Sequence, residues 1–186
     1  VQEYNEKLDL SFFYAEAKKK GFENNATKKM LVDSIAKEKH WNVWILYYNC
    51  IPVGSVAAHS FDDVMGNKSY RILARTCVLS HLLPFNSLRS VNQIIHHQNV
   101  TGQFLIPICL DWVPIDSNLY ITSNANSVGS QRLVHSIWCP AMEKSRQIKF
   151  VKEINYRNTI QTVWEFFPKE FFKFYDNNMN WIKCKL

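Results

Sequence analysis

Glycine and proline are scarce in this chain, five and six residues of 186, and no stretch is compositionally simple. That excludes collagen-like and Pro/Gly-rich disordered chains. Long apolar runs are absent as well. None approaches the roughly 18–20 residues that span a bilayer, so no membrane helix is expected and the chain reads as soluble. The sequence has no phosphate-binding Walker loop, no Gly-x-Ser-x-Gly elbow, no His-Glu-x-x-His pair and no close carboxylate pair in its central section, which removes the enzyme classes that depend on them. Five cysteines (Cys50, Cys77, Cys109, Cys139, Cys184) are an odd number, widely spaced and without a Cys-x-x-Cys pair. They read as free thiols in a reducing, cytoplasmic compartment. Cys77 and Cys109 lie in apolar segments and read as small core residues. His96 and His97 are adjacent and diverge on a helix, so no metal is expected. The chain opens at Val1 without an initiator Met and shows no secretory leader at its start, the expectation for a processed or trimmed chain.

What is present is apolar and aromatic. With 47% hydrophobic and 14% aromatic residues, the chain can bury a substantial core, and residues 1–186 read as one domain with an aromatic-rich extension over 168–186. Charge is unevenly spread within a net +6. No acidic residue occurs from Val64 to Leu110, while Lys68, Arg71, Arg75 and Arg89 are joined by His81, His96 and His97. A positive centre of this kind suits a phosphorylated ligand or nucleic acid, or is a solvated basic face.

Periodicity places the elements. Asn5 to Lys19 reads as a helix with a lysine-rich end and Gly21 as its stop, and a second helix begins at Thr27. Trp41 to Tyr48, Val53 to Phe61 and Ser69 to Leu79 read as a three-strand antiparallel meander around which the rest is organised. Strict alternation in its third strand puts Arg71, Leu73, Arg75, Cys77 and Leu79 on one face. A short helix is expected within Asn86 to His97, then another from near Thr101 with a kink at Pro107. Asn118 to Ser123 is a strand; Asn126 or Ser127 caps a helix through Leu133, Val134, Ile137 and Trp138 that is interrupted near Pro140. Ile148 to Tyr156 and Thr159 to Phe166 form a hairpin, and an aromatic helix with Phe171, Phe172 and Phe174 follows, with Trp181 beyond.

The order helix, helix, three strands, polar loop, helix, strand, helix, two strands resembles the GNAT N-acetyltransferase superfamily, with a first strand placed in or before Val1 to Tyr4. Ile51-Pro-Val-Gly-Ser55 looks like that family's hairpin between its second and third strands. Asn124 to Leu133 looks like the Asn-bearing start of its last long helix. The resemblance implies an α+β, three-layer fold, with a central mixed, mainly antiparallel sheet of about six to seven strands and helices on both faces. It also implies that the meander splays from the Leu119 to Ser123 strand to leave a cofactor cleft. The cosubstrate implied is acetyl-CoA or another acyl-CoA. Its pyrophosphate would meet a helix N-terminus at Asn99, Thr101, Gly102 and Gln103, where only Gly102 keeps the family's Gln/Arg-x-x-Gly-x-Gly/Ala pattern and Phe104 replaces its last small residue; Asn126 joins that set. Backbone N–H groups of Cys77, Val78 and Leu79 would face the acyl carbonyl, His81 is the candidate base, and His135 the candidate acid in place of the family's helix tyrosine.

The function so implied is transfer of an acetyl or other acyl group to a small-molecule or peptide amine. Two alternatives stand beside it. One is a catalytically inactive protein of this fold that uses its aromatic tail for interaction or a homodimer. The other is a nucleic-acid binder acting through Lys68, Arg71, Arg75 and Arg89.

Overall fold

The computed structural model describes residues 1–22, 26–37, 41–84, 90–124, 130–156 and 158–176, with 34–37 and 130–133 as backbone alone. Strands β1 (Gln2–Glu3), β2 (Trp41–Tyr48), β3 (Ile51–Ser60), β4 (Ser69–Val78), β5 (Asn118–Ser123), β6 (Ile148–Tyr156) and β7 (Thr159–Phe166) form one seven-stranded sheet in the order β1-β2-β3-β4-β5-β7-β6. Every pairing is antiparallel except β4 with β5. The expected first strand is β1, which pairs with β2 through Gln2 and Glu3.

Helices α1 (Ser11–Lys19) and α2 (Lys28–Lys37) lie on one face. There Phe13, Ala17 and Leu31 are buried against Val43, Ala57, Ala74 and Cys77. Helix α1 starts six residues later than the periodicity predicts, because polar side chains fold the lead-in into turns. Asn5 accepts from the Lys7 N–H and Asp9 from the Ser11 N–H and hydroxyl, local bonds that compete with a helix.

The connection from β3 to β4 carries the one-turn helix α3 (Asp62–Met65), a 3₁₀ turn (Ser80–Leu82) follows β4, and α4 (Val91–Ile95) comes next. The opposite face of the sheet is covered by α5 (Ile106–Trp112), α6 (Cys139–Lys144) and α7 (Pro168–Phe174). Its core joins Trp44, Val56, Ile72, Ile121 and Trp164 to Ile106, Cys109, Met142 and Phe171. Two π-helical segments lead into this layer, Thr101–Leu105 before α5 and Ser130–Trp138 before α6. Each ends just before a proline, Pro107 or Pro140, at the start of the α-helical part. A proline lacks the N–H for an α bond and its ring crowds the carbonyl four residues back. Widening the preceding turn relieves both defects. The kink expected at Pro107 takes this form, and Pro140 redirects its helix without ending it.

The extension is not a separate tail over its described part. Phe171 is fully buried in the main core, whereas Phe172 on the same helix is 53% exposed. Trp181 lies outside the described residues.

Candidate functional site

Strand β4 and strand β5 run parallel in register over three residues only, Ser69, Arg71 and the Tyr70 between them opposite Asn118 to Tyr120. Beyond that point they part. The cause lies in β4, whose register against β3 slips twice, between the Ser55 and Ala57 pairs and between the Ala57 and His59 pairs. At the slips Leu73 and Arg75 adopt left-handed backbone, φ 57° and 52°. Each bulge adds a residue to one strand and sharpens its local twist, so β4 turns away while β5 stays paired along β7. The bulges also correct the strict alternation: Leu73 packs into the α5 side, and Ala74 takes a place on the α1/α2 side.

Within the parting, the three candidate backbone donors separate. Leu79 N–H donates to the Val53 carbonyl at 2.8 Å, and Ser55 pairs with Cys77 two residues back. Alternation of an antiparallel ladder therefore turns the Val78 N–H away from β3, toward the side from which β5 has withdrawn. The Cys77 side chain is buried on the α1/α2 side, and burial pushes its thiol up to about 12.

Beside the parting, the chain folds back tightly between α4 and α5. Gln98 N–H bonds to the Gln93 carbonyl and His97 N–H to the Ile94 carbonyl, the Schellman pattern, with His97 in the left-handed position usually given to glycine (φ 56°). Asn99 then caps the next helix, its Oδ1 accepting from the Gly102 N–H at 2.8 Å. The buried His97 ring donates from Nε2 to Gln147 Oε1 at 2.6 Å and packs on Phe171 with centroids 4.2 Å apart. Burial pushes its pKa down to about 4. A Cβ at Gly102 would stand 2.6 Å from His97 Cβ and 2.9 Å from its Cα. The glycine is thus required by the returning chain. Gly102→Ala is expected to cost about 1–3 kcal/mol through overpacking, read as a lower melting temperature; an unchanged melt would remove this account. Gln103 is buried too, giving its amide N–H to the Asp176 carbonyl at 3.2 Å, while the Tyr175 hydroxyl donates to the Gln103 carbonyl. Of this set only Thr101 keeps partial exposure.

On the α1/α2 face, the sheet register brings Trp41, His59, Arg71 and Tyr120 into one cross-strand row. His59 stacks on Trp41 at 3.8 Å and 5°. Arg75 lies over the Trp41 ring and Arg71 over the Tyr156 ring, at 5.8 and 5.5 Å. Burial holds both guanidinium groups below their ordinary value, Arg71 to about 10, and Asp33 on α2 lies against the charge of Arg75. The His59 Nδ1–H donates to the Ser60 carbonyl at 2.6 Å. Burial first, then Arg71, push His59 down to about 3. His59 Nε2, Arg71 Nε and Thr122 Oγ1 are buried without a hydrogen-bond partner among the described residues. Arg71 and Arg75 therefore do not form an open basic face, and Arg89 lies outside the described residues.

His81 and His135 are not brought together. His81 Nε2 meets Glu16 Oε2 on α1 at 3.0 Å, whereas His135 Nε2 meets Thr162 Oγ1 at 3.0 Å on the opposite side of the sheet. Asn126 lies outside the described residues. Sequence reading missed the Trp41, His59 and Tyr120 members of the row and the Tyr156 ring beneath Arg71; the signal available was the charge gap that drew attention to Arg71 and Arg75. Two cavities on the described surface, between α1 and α2 at Tyr14 and Lys18 and beside α7 at Pro114 and Phe172, lie away from the parting. Among the described residues, no group of three or more metal-ligating side chains occurs, and no helix is long and apolar enough to cross a membrane.

No family model matches the sequence, and no curated protein matches it. Solved structures do. The chain is similar to an aminoglycoside N-acetyltransferase, AAC(6')-Ib11, at 11% identity and TM-score 0.51, covering 88% of this chain and 93% of that one. It is similar to FeeM, an N-acyl amino acid synthase from uncultured soil microbes, at 9% identity and TM-score 0.50, over 91% and 98% of the two chains. An acyl-CoA N-acyltransferase from Pseudomonas aeruginosa aligns at 13% identity and TM-score 0.46, over 87% and 93%. The fold is that of the GNAT N-acyltransferases: a seven-stranded mixed sheet between two helical layers.

Proposed function

We propose that this chain is an acyl-CoA-dependent N-acyltransferase acting on an amine, with the acyl arm held between β4 and β5. The observation that carries the reading is the parting of these strands after three paired residues. It leaves two facing strand edges inside an otherwise continuous sheet, and an extended arm rich in amides can hydrogen-bond there as an added strand. The amine nitrogen attacks the thioester carbonyl; the C–N bond forms, the C–S bond breaks, and the amine proton is lost as the thiolate gains one. The Val78 N–H is the donor for the developing oxyanion. Tyr120, held protonated first by burial and then by Glu165, is the side chain at the vertex of the parting with a proton to give. Thr101 is the member of the 99–103 set left to meet the pyrophosphate.

Titration calorimetry with acetyl-CoA and longer acyl-CoA, against a nucleotide lacking the pantetheine arm, tests this. Micromolar binding that depends on the arm is expected. Val78→Pro deletes the cleft-facing N–H without touching the β3 ladder, so it is expected to weaken binding at least tenfold with little change in melting temperature. A flat trace from folded protein would overturn the reading.

A second reading is favoured by one specific observation. The Gly102 N–H is already committed to Asn99, which removes a donor from the pyrophosphate position and suits a protein that keeps the fold for interaction. The same titration separates the two.

A further inference from the structure

Four buried polar atoms without partners among the described residues sit on one face of the sheet, around the last paired residue of β4: His59 Nε2, Arg71 Nε, Thr122 Oγ1 and, two residues before Arg71 on the same face, the Ser69 hydroxyl. The first three are chemically distinct. Arg71 Nε–H is a cationic donor. His59 Nε2 is a bare acceptor, because its other nitrogen gives its hydrogen to the Ser60 carbonyl. Thr122 Oγ1, two residues beyond Tyr120 on the same face of β5, can do either. His59 and Arg71 stand directly opposite each other in register, so their Cα atoms lie about 5 Å apart. A donor and an acceptor that close and still unpaired in a buried place each carry a desolvation penalty.

Resting on the acyltransferase reading above, we propose that this row is the acceptor subsite, and that the acceptor is a free amino acid whose carboxylate takes the Arg71 Nε–H and whose amine N–H donates to His59 Nε2. The charge balance fits one negative charge. Asp33 already lies against Arg75, leaving Arg71 as the guanidinium to be matched, and a phosphate dianion would overbalance it. Trp41, Tyr120 and Tyr156, each partly exposed, supply aromatic walls for the rest of the molecule. Because Arg71 is the last β4 residue in register with β5, a ligand held there lies at the vertex of the parting, where the thioester would end. His59 orients the amine and is a positioning residue.

The test is direct binding to the full chain without acyl-CoA, by protein-detected NMR, using phenylalanine, phenylalaninamide, phenethylamine and inorganic phosphate as probes. Phenylalanine is expected to bind at least tenfold more tightly than the other three. Arg71→Gln is expected to remove that preference and Arg71→Lys to restore part of it. His59→Phe keeps the stack on Trp41, so it guards against a folding artefact, and it is expected to weaken phenylalanine binding several-fold while leaving acyl-CoA affinity unchanged. Equal binding of acid and amide, phosphate binding as tight as phenylalanine, or no binding of any probe to folded protein would each overturn the inference, the last meaning that bound water fills the site. Acyl-CoA titration is read separately, so its failure sinks the acyltransferase reading without removing a carboxylate site.

Discussion

Acidifying the protein from pH 7 to pH 4 is expected to remove on the order of 5 kcal/mol of stability through two histidines alone. His59 and His97 are each 1% exposed, and burial is the first cause that lowers both from 6.5, to about 3 and about 4. The folded state therefore binds fewer protons than the unfolded chain wherever the pH lies below 6.5 and above those values. Stability rises with pH whenever the unfolded state binds more protons. The contribution is full above pH 6.5 and drains as the pH falls toward 4 and 3. A tenfold change in proton affinity is worth about 1.4 kcal/mol, and total stabilities run about 5–15 kcal/mol, so the loss approaches the unfolding threshold. Urea unfolding at pH 7, 5.5 and 4.5 measures it. His59→Phe should flatten the slope by about half, since the ring that must charge on unfolding is gone. Folded-state titration of both imidazoles near 6.5, followed by NMR, would defeat the account.

How far the sequence carried the reading follows from local physics. The β6–β7 hairpin and β5 were legible to the residue, since branched and aromatic runs bounded by turn residues leave little choice. The splay was not legible from residues, because bulges at Leu73 and Arg75 ask for left-handed backbone from types that rarely adopt it. Neither has glycine's signature. The same concealment occurs at His97, which holds a position where glycine would have announced a helix end.

Gly102 shows a different failure. Its spacing matched a phosphate-approach glycine, yet the structure spends the missing Cβ on His97 and the N–H on Asn99. Sequence spacing cannot separate these uses, because close approach of a phosphate and close approach of a side chain both ask for hydrogen in place of Cβ. Likewise the charge gap located Arg71 and Arg75, but only cross-strand register could bring His59 and Trp41 beside them.

Gln147→Leu is expected to be the most damaging single substitution away from the candidate site, costing about 3–5 kcal/mol through the groups it strands. Gln147 is fully buried and spends every side-chain atom it can. Its Oε1 accepts from His97 Nε2–H, and its amide donates to the Ile95 carbonyl at 3.1 Å and to Ser145 Oγ at 3.0 Å. Ile95 is the last residue of α4, so its carbonyl has no partner within its own helix. Leucine fills similar space but leaves that carbonyl and the His97 N–H buried and unpaired, each worth about 1–3 kcal/mol. The loss should propagate to α5, because the His97 ring that Gln147 holds is what Gly102 packs under. Denaturant unfolding of Gln147→Leu, His97→Phe and the double variant resolves the pair. If the network account holds, the double variant loses clearly less than the two singles summed, since His97→Phe removes a donor that Gln147→Leu would otherwise strand. Simple additivity would mean that the two side chains act independently, and the buried bond would then not be what fixes the turn between α4 and α5.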